Sequence, residues 1–286
     1  MILVTGASGN IGRELVKRLS AAKAPFRAAY RKPDAAKAAR AARVEAVVAD
    51  FADPESMRPA LKGVDTMFLL SGGDPNQTAL ELAAVREARE ADVERVVKLS
   101  AWGAETEAFS YARIHRPVER AIEGSGMRWT FLRPNGFHQN MANFYAPSIR
   151  GQGTFFLPMA DARVSYVDVR DVASSAAAIL GARDHQHDEK AYGLSGPEAL
   201  TCAQLADELS RQVGRTIRYV DVSDDDFVKG AVAGGVPEAQ ARNAVELMHF
   251  YKQGRASDVL GEVQQITGKK PISFRQYVAD NLALFR

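Results

Sequence analysis

The chain has 286 residues, with 37 Lys and Arg against 35 Asp and Glu. That length suits one α/β domain with a smaller added lobe, and the near-balanced charge offers no broad basic surface to nucleic acid. No apolar stretch is long enough to span a bilayer, and a strand begins at residue 2 without a basic leader, so a cytoplasmic protein with no membrane partner is expected.

The first predicted strand, 2–5, runs straight into Thr5-Gly6-Ala7-Ser8-Gly9-Asn10-Ile11-Gly12, and helical spacing follows at Ile11, Leu15 and Leu19. A strand, a glycine turn and a helix in that order form a unit built to hold a phosphate. One glycine makes the tight turn, one lets the backbone approach a pyrophosphate, and one lets the helix pack closely. The spacing is G-x-x-G-x-x-G, and the second strand, 26–31, arrives where a βαβ unit of about 30 residues places it. Gly6, Ala7, Ser8, Gly9, Asn10, Ile11 and Gly12 are the expected dinucleotide cradle.

Further strands are predicted at 44–49, 66–71, 95–100 and 129–133, with helices between them. The helix Asn76–Ala91 carries Leu80, Ala84 and Ala88 on one stripe. The Ala-rich stretch from Asp34 to Ala42, with Lys37 and Arg40, reads as a solvated helix and not as a nucleic-acid arm. This alternation predicts an α/β fold, a Rossmann-type doubly wound parallel sheet, with a smaller C-terminal lobe on the substrate side. The expected division is 1–150 for the nucleotide-binding domain and 151–286 for the lobe, with 164–195 returning to the core. After Pro134 the expected pieces are a strand Val164–Val167, a helix Asp171–Leu180 and a strand Tyr192–Ser195. Two helices, Ala203–Val213 and Pro237–Tyr251, then flank a strand Ile217–Val222.

The second strand ends in Tyr30-Arg31-Lys32-Pro33, without the carboxylate that selects an unphosphorylated ribose. Arg31 can meet a 2′-phosphate bidentately and Lys32 adds charge, so NADP(H) is expected over NAD(H). At the third strand's end, Asp50 can accept from an adenine amino group beside Phe51, or can cap the turn that follows. Leu70-Ser71-Gly72 is a second turn at the expected switch point, beside the cofactor ribose and nicotinamide. Trp102, Asn135, Phe137, His138, Met141, Phe144 and Tyr145 lie on loops at strand ends, where they are expected to sandwich a small aromatic electron acceptor. His185-Gln186-His187-Asp188-Glu189 reads as a polar surface loop, and neither metal nor flavin is expected. Cys202, the one cysteine, has no internal disulfide partner, and packing is its plainer role beside that of a reactive thiol.

Thr5–Gly12, Asp50-Phe51, Val97-Lys98-Leu99-Ser100, Gly126–Pro134 and Tyr166–Ala173 together resemble the NmrA-like branch of the atypical short-chain dehydrogenase/reductases. Within it the chain is similar to NAD(P)H-dependent azo-dye, triphenylmethane-dye and quinone reductases. The likeness covers nearly the whole chain and is loosest from about 223 to 286. It implies an oxidoreductase whose nicotinamide is surrounded by Ser71, Ser100 and Pro134. The wider superfamily works through a serine and a Y-x-x-x-K pair; here Ser100 is followed by Tyr111 and then His115 in place of lysine. Ser100, Tyr111 and His115 are the implied catalytic groups, with Glu119 one turn on expected to favour a protonated His115. Weak acid machinery suits electron-poor acceptors such as quinones and azo compounds. The alternative is an NADP(H)-binding redox sensor without turnover.

Overall fold

In the computed structural model, which describes residues 1–286, the apolar start of the chain forms β1 (Ile2–Val4), and the glycine turn leads into α1 (Asn10–Ala21). Ile11, Leu15 and Leu19 form the buried stripe of α1, as their spacing requires. There follow β2 (Phe26–Tyr30), α2 (Pro33–Ala41), β3 (Ala46–Val48), α3 (Pro54–Leu61), β4 (Thr66–Leu69) and α4 (Gln77–Glu90). β5 (Arg95–Leu99), α5 (Ser110–Glu123), β6 (Arg128–Pro134), α6 (Ala146–Gln152), β7 (Thr154–Leu157) and α7 (Val169–Gly181) come next. The chain ends with β8 (Lys190–Leu194), α8 (Cys202–Val213), β9 (Arg218–Asp221), α9 (Asp224–Ala233), α10 (Glu238–Lys252), α11 (Glu262–Thr267) and α12 (Phe274–Asp280).

The chain divides into two compact units: Met1–Ala101, Ile114–Arg133 and Val169–Tyr192 form the first, and Trp102–Arg113, Pro134–Asp168 and Gly193–Arg286 the second. The seven-stranded sheet has the order β3-β2-β1-β4-β5-β6-β8, doubly wound from β1, and its pairs from β3 to β6 are parallel. Strands covered on both faces read as continuous apolar runs, which explains why the pattern was plain in the sequence. Leu3, Met67, Val96 and Phe131 join helix residues such as Ala84, Val85 and Ala88 in one core beneath the sheet.

The predicted stripe of α4 is rotated. Gln77, Glu81, Ala84, Val85 and Ala88 are its buried residues, and the carboxylate of Glu81 is 1% exposed. A charge turns inward there because Lys98 of β5, itself fully buried, supplies the countercharge.

The loop before β8 also differs from expectation. His185 is exposed and pairs with Asp188 at 2.7 Å, but His187 is buried, its Nδ1 at 2.9 Å from the Tyr192 hydroxyl, and its carbonyl accepts from Thr130. Packing against two side chains of the sheet's edge draws it inside.

In the second unit β7 and β9 form a separate two-stranded parallel sheet, of which the sequence reading had only β9. Phe155, Ile149, Leu205, Leu209, Tyr277 and Phe285 lie at the centre of its core. The expected strand Val164–Val167 is not formed. Val164 bridges Leu200 and Val167 bridges Phe137, while Ser165 between them turns to the carbonyls of Ala256 and Asp258, so no ladder persists. Cys202 is 1% exposed within this core and burial pushes its thiol up to about 12, which leaves it a packing residue. No helix is long and apolar enough to cross a membrane.

Candidate active site

The cradle is built from the first unit alone. Thr5 Oγ1 bonds the Phe68 carbonyl at 3.0 Å and accepts from the Leu70 amide at 2.9 Å, drawing the ends of β1 and β4 together. Gly6 then turns with φ +62, and a Cβ there would lie 2.6 Å from the Leu70 carbonyl oxygen. A Cβ on Gly12 would lie 2.1 Å from the Gly6 oxygen, so the helix start and the turn touch through backbone only. Gly9, the N-cap of α1, offers no side chain to the first amides of the helix. Those amides and the positive end of the helix dipole suit an anion, and the backbone-only contacts leave the close approach that a pyrophosphate requires. The residues present therefore fit a dinucleotide phosphate.

Arg31, immediately after β2, is exposed and forms no ion pair with the chain, which leaves both guanidinium edges available. Asp50 accepts from the Ala52 amide at 3.0 Å, so the turn-capping reading applies to one of its oxygens. Phe51 packs partly against the core, and a Cβ on Gly72 would meet no atom within 4 Å.

Beyond the cradle lies a buried polar network that was not anticipated. Glu81 of α4 accepts from Ser71 at 2.6 Å, from Gln77 at 3.1 Å and from Lys98. Lys98 also donates to the Leu99 carbonyl at 3.2 Å and meets His115 Nδ1 at 3.3 Å. An ammonium has three donors and no acceptor, so all its hydrogens are committed, and His115 Nδ1 must be the acceptor with its proton on Nε2. Burial and then the charge of Lys98 push His115 down to about 4. Burial raises Glu81, but Lys98 outweighs it and the carboxyl stays below its ordinary value.

Glu119 favours a protonated His115 as expected, but burial and Lys98 outweigh it. Glu119 accepts from Ser100 at 2.7 Å, from Arg133 at 2.9 and 2.8 Å and from Arg116 at 2.9 Å, and these donors overcome burial to hold its pKa down. The two serines after β4 and β5 thus give their protons to buried carboxylates, and each keeps an oxygen that can only accept. Lys98 could have been singled out by one signal: a lysine set between Val97 and Leu99 in a strand whose five residues are all buried.

The depressed pKa of His115 makes folding depend on pH. His115 is neutral in the native state and takes a proton in the unfolded chain below about 6.5, so its contribution is present above 6.5 and is lost as pH falls through 4. His115→Asn is expected to flatten the decline in urea midpoint over that interval, measured between pH 7 and pH 4; a decline as steep as the wild type's would contradict it.

The second unit contains a cavity of about 820 Å³, in the range of small-molecule sites. Phe137, His138, Met141, Phe144 and Tyr145 line it, together with Tyr111. Two candidates do not. Trp102 donates to the Arg255 carbonyl at 2.7 Å and packs beside Gly193, and Asn135 is 2% exposed, bonded to Ser165, Ala256 and the Gly136 amide. Both are held by the packing of their own unit. Tyr166, Phe227, Met248 and Tyr251 line the cavity and were missed, because they come from a bridge segment and from two helices whose inner faces the sequence did not distinguish.

Residues 6–183 match the model of a family described as NAD(P)H-binding. The chain belongs to that family. Over its whole length it is 32% identical to the NAD(P)H azoreductase of Xenophilus azovorans, covering 99% of that protein. It is 36% identical over its whole length to the (4-alkanoyl-5-oxo-2,5-dihydrofuran-3-yl)methyl phosphate reductase of Streptomyces griseus, again covering 99% of the relative. The NADPH complex of an NADPH-dependent quinone oxidoreductase from Escherichia coli superposes with a TM-score of 0.91 at 26% identity, over 99% of this chain and 100% of the other. The family member described here therefore carries an NAD(P)H site in a Rossmann-type fold, which agrees with the cradle at Gly6–Gly12.

Proposed function

We propose that the protein is an NADPH-dependent reductase that passes hydride directly to an electron-poor aromatic acceptor of the quinone or azo class, in the cytoplasm and without flavin. The observation that supports this most is the pairing of a backbone phosphate cradle in one unit with an aromatic, methionine-lined cavity in the other. A sensor that only binds the dinucleotide has no need of such a cavity.

Gly6, Gly9 and Gly12 hold the pyrophosphate, and Arg31 with Lys32 meets the 2′-phosphate. Bound NADPH supplies a hydride donor. The oxygens of Ser71 and Ser100, fixed by Glu81 and Glu119, accept from hydroxyl or amide groups of the ribose and nicotinamide. His115 is neutral and holds Lys98, so it is not a source of protons at neutral pH. Burial raises Tyr111, which keeps it protonated and makes it a weak acid, so solvent is the source of the proton. The relatives named for azo and quinone reduction support the acceptor class.

Arg31→Ala is expected to weaken NADPH by roughly tenfold or more, the range of a lost charge-assisted pair, while NADH affinity stays the same. Fluorescence titration of both cofactors checks this; equal losses for the two would remove Arg31 from 2′-phosphate recognition. The reductase reading itself is tested by NADPH oxidation over a panel of quinones and azo dyes. Turnover on members of the panel is expected, and tight binding with no turnover on any of them would favour the sensor.

A further inference from the structure

Four tyrosines, Tyr111, Tyr145, Tyr166 and Tyr251, line the cavity of the second unit. None of their hydroxyls is hydrogen-bonded within the chain; burial and neighbouring ionisable groups are all that act on them. Nor are these oxygens among the sealed, unpartnered polar atoms of the core, and their side chains line the cavity. Leaving a hydroxyl without a partner in an apolar site costs about 1–3 kcal/mol, and buried tyrosines normally find one. Four in one cavity form a set of partners waiting for a ligand or for water.

Their surroundings set the sign of that ligand. Burial raises all four above the ordinary phenol value, so each remains a neutral O–H at any physiological pH. They are near neighbours: Tyr251 and Tyr145 each disfavour ionisation of Tyr166, and Tyr111 does so for Tyr251. No lysine or arginine lines the cavity, and its one carboxylate, Asp226, is exposed and pairs with Ser223 and Lys229. His138 is packed within the aromatic wall, stacked on Tyr277. An anionic group entering this space finds no countercharge, whereas a carbonyl oxygen finds donors.

Space is kept for these hydroxyls by the backbone. A Cβ on Gly136 would lie 2.9 Å from the Tyr166 ring and 3.2 Å from the Tyr251 hydroxyl. The absence of a side chain at 136 lets the Tyr166 ring and the Tyr251 hydroxyl both lie close against the same stretch of backbone.

We propose that Tyr111, Tyr145, Tyr166 and Tyr251 make this cavity a site for a flat, uncharged molecule carrying carbonyl oxygens, a quinone in preference to a sulfonated azo dye or a sulfonated quinone. This deepens the reductase reading and rests on it for the cavity's role. Reduction then consumes one NADPH and one proton per quinone: hydride goes to the acceptor, the proton comes from solvent, and hydroquinone and NADP+ leave.

The test uses the full chain without cofactor, titrated by calorimetry with 1,4-naphthoquinone, with 1,2-naphthoquinone-4-sulfonate and with naphthalene. The neutral quinone is expected to bind at least about tenfold more tightly than the sulfonate. Tyr166→Phe and Tyr251→Phe should each weaken the quinone by about tenfold, leave naphthalene unchanged and leave the NADPH dissociation constant unchanged. Unchanged naphthalene and NADPH binding in these variants excludes collapse of either site. Equal or tighter binding of the sulfonate, or phenylalanine variants that hold the quinone as well as the wild type, would overturn the proposal. Failure of the reductase reading looks different: the quinone binds at full, tyrosine-dependent strength, but NADPH is not oxidised.

Discussion

Lys98→Met is expected to destabilise the protein by about 3–5 kcal/mol, the cost of stranding one member of a buried ion pair. Lys98 and Glu81 are 0% and 1% exposed, and removal of the ammonium leaves a carboxylate with only Ser71 and Gln77 as donors. It also frees His115 from the charge that helps to depress it, so that a second group loses its partner. The double variant Lys98→Met with Glu81→Leu should recover most of the loss, since apolar residues of similar volume often replace a buried pair at little cost. Urea denaturation of the wild type, the single variant and the double variant measures this. A single variant within about 0.5 kcal/mol of the wild type would mean that the pair does not hold the sheet to α4.

The second large effect is at the cradle. Any side chain at position 12 places a carbon 2.1 Å from the Gly6 oxygen and 2.8 Å from Ala7 Cα, both of them backbone. Neither can yield without opening the turn, so Gly12→Val should weaken NADPH by at least about a hundredfold, as the lost phosphate contacts and strained turn add. Far-ultraviolet circular dichroism on the same samples shows how much of the chain is folded, and the affinity is referred to that fraction. Wild-type affinity in a folded Gly12→Val protein would place the dinucleotide elsewhere.

The cradle was readable in the sequence because its chemistry is local: the seven residues from Gly6 to Gly12, with a strand before and a helix after, specify turn, dipole and close approach together. The alternation of strands and helices was readable for a similar reason, each element carrying its own period. Lys98 was harder. Its partner Glu81 lies on another element, and until the two are brought together each reads as a charge on a surface. The inward turn of Glu81 also displaced the expected stripe of α4. The cavity is the extreme case, since Tyr111, Tyr166 and Tyr251 meet from three separate parts of the chain, and no periodicity records which hydroxyls lack a partner. Asn135 and Trp102 show the converse error: position after a strand placed them near a site, but their hydrogen bonds commit them to the packing.

In the proposed reaction hydride leaves the nicotinamide for an acceptor bound to this protein. Single-turnover oxidation of NADPH, carrying deuterium on one or the other face of C4, tests that most directly with 1,4-naphthoquinone as acceptor. A slower reaction with label on one face and not the other is the predicted result. NADPH that binds tightly and stays reduced, with this quinone and with every other acceptor tried, would contradict it.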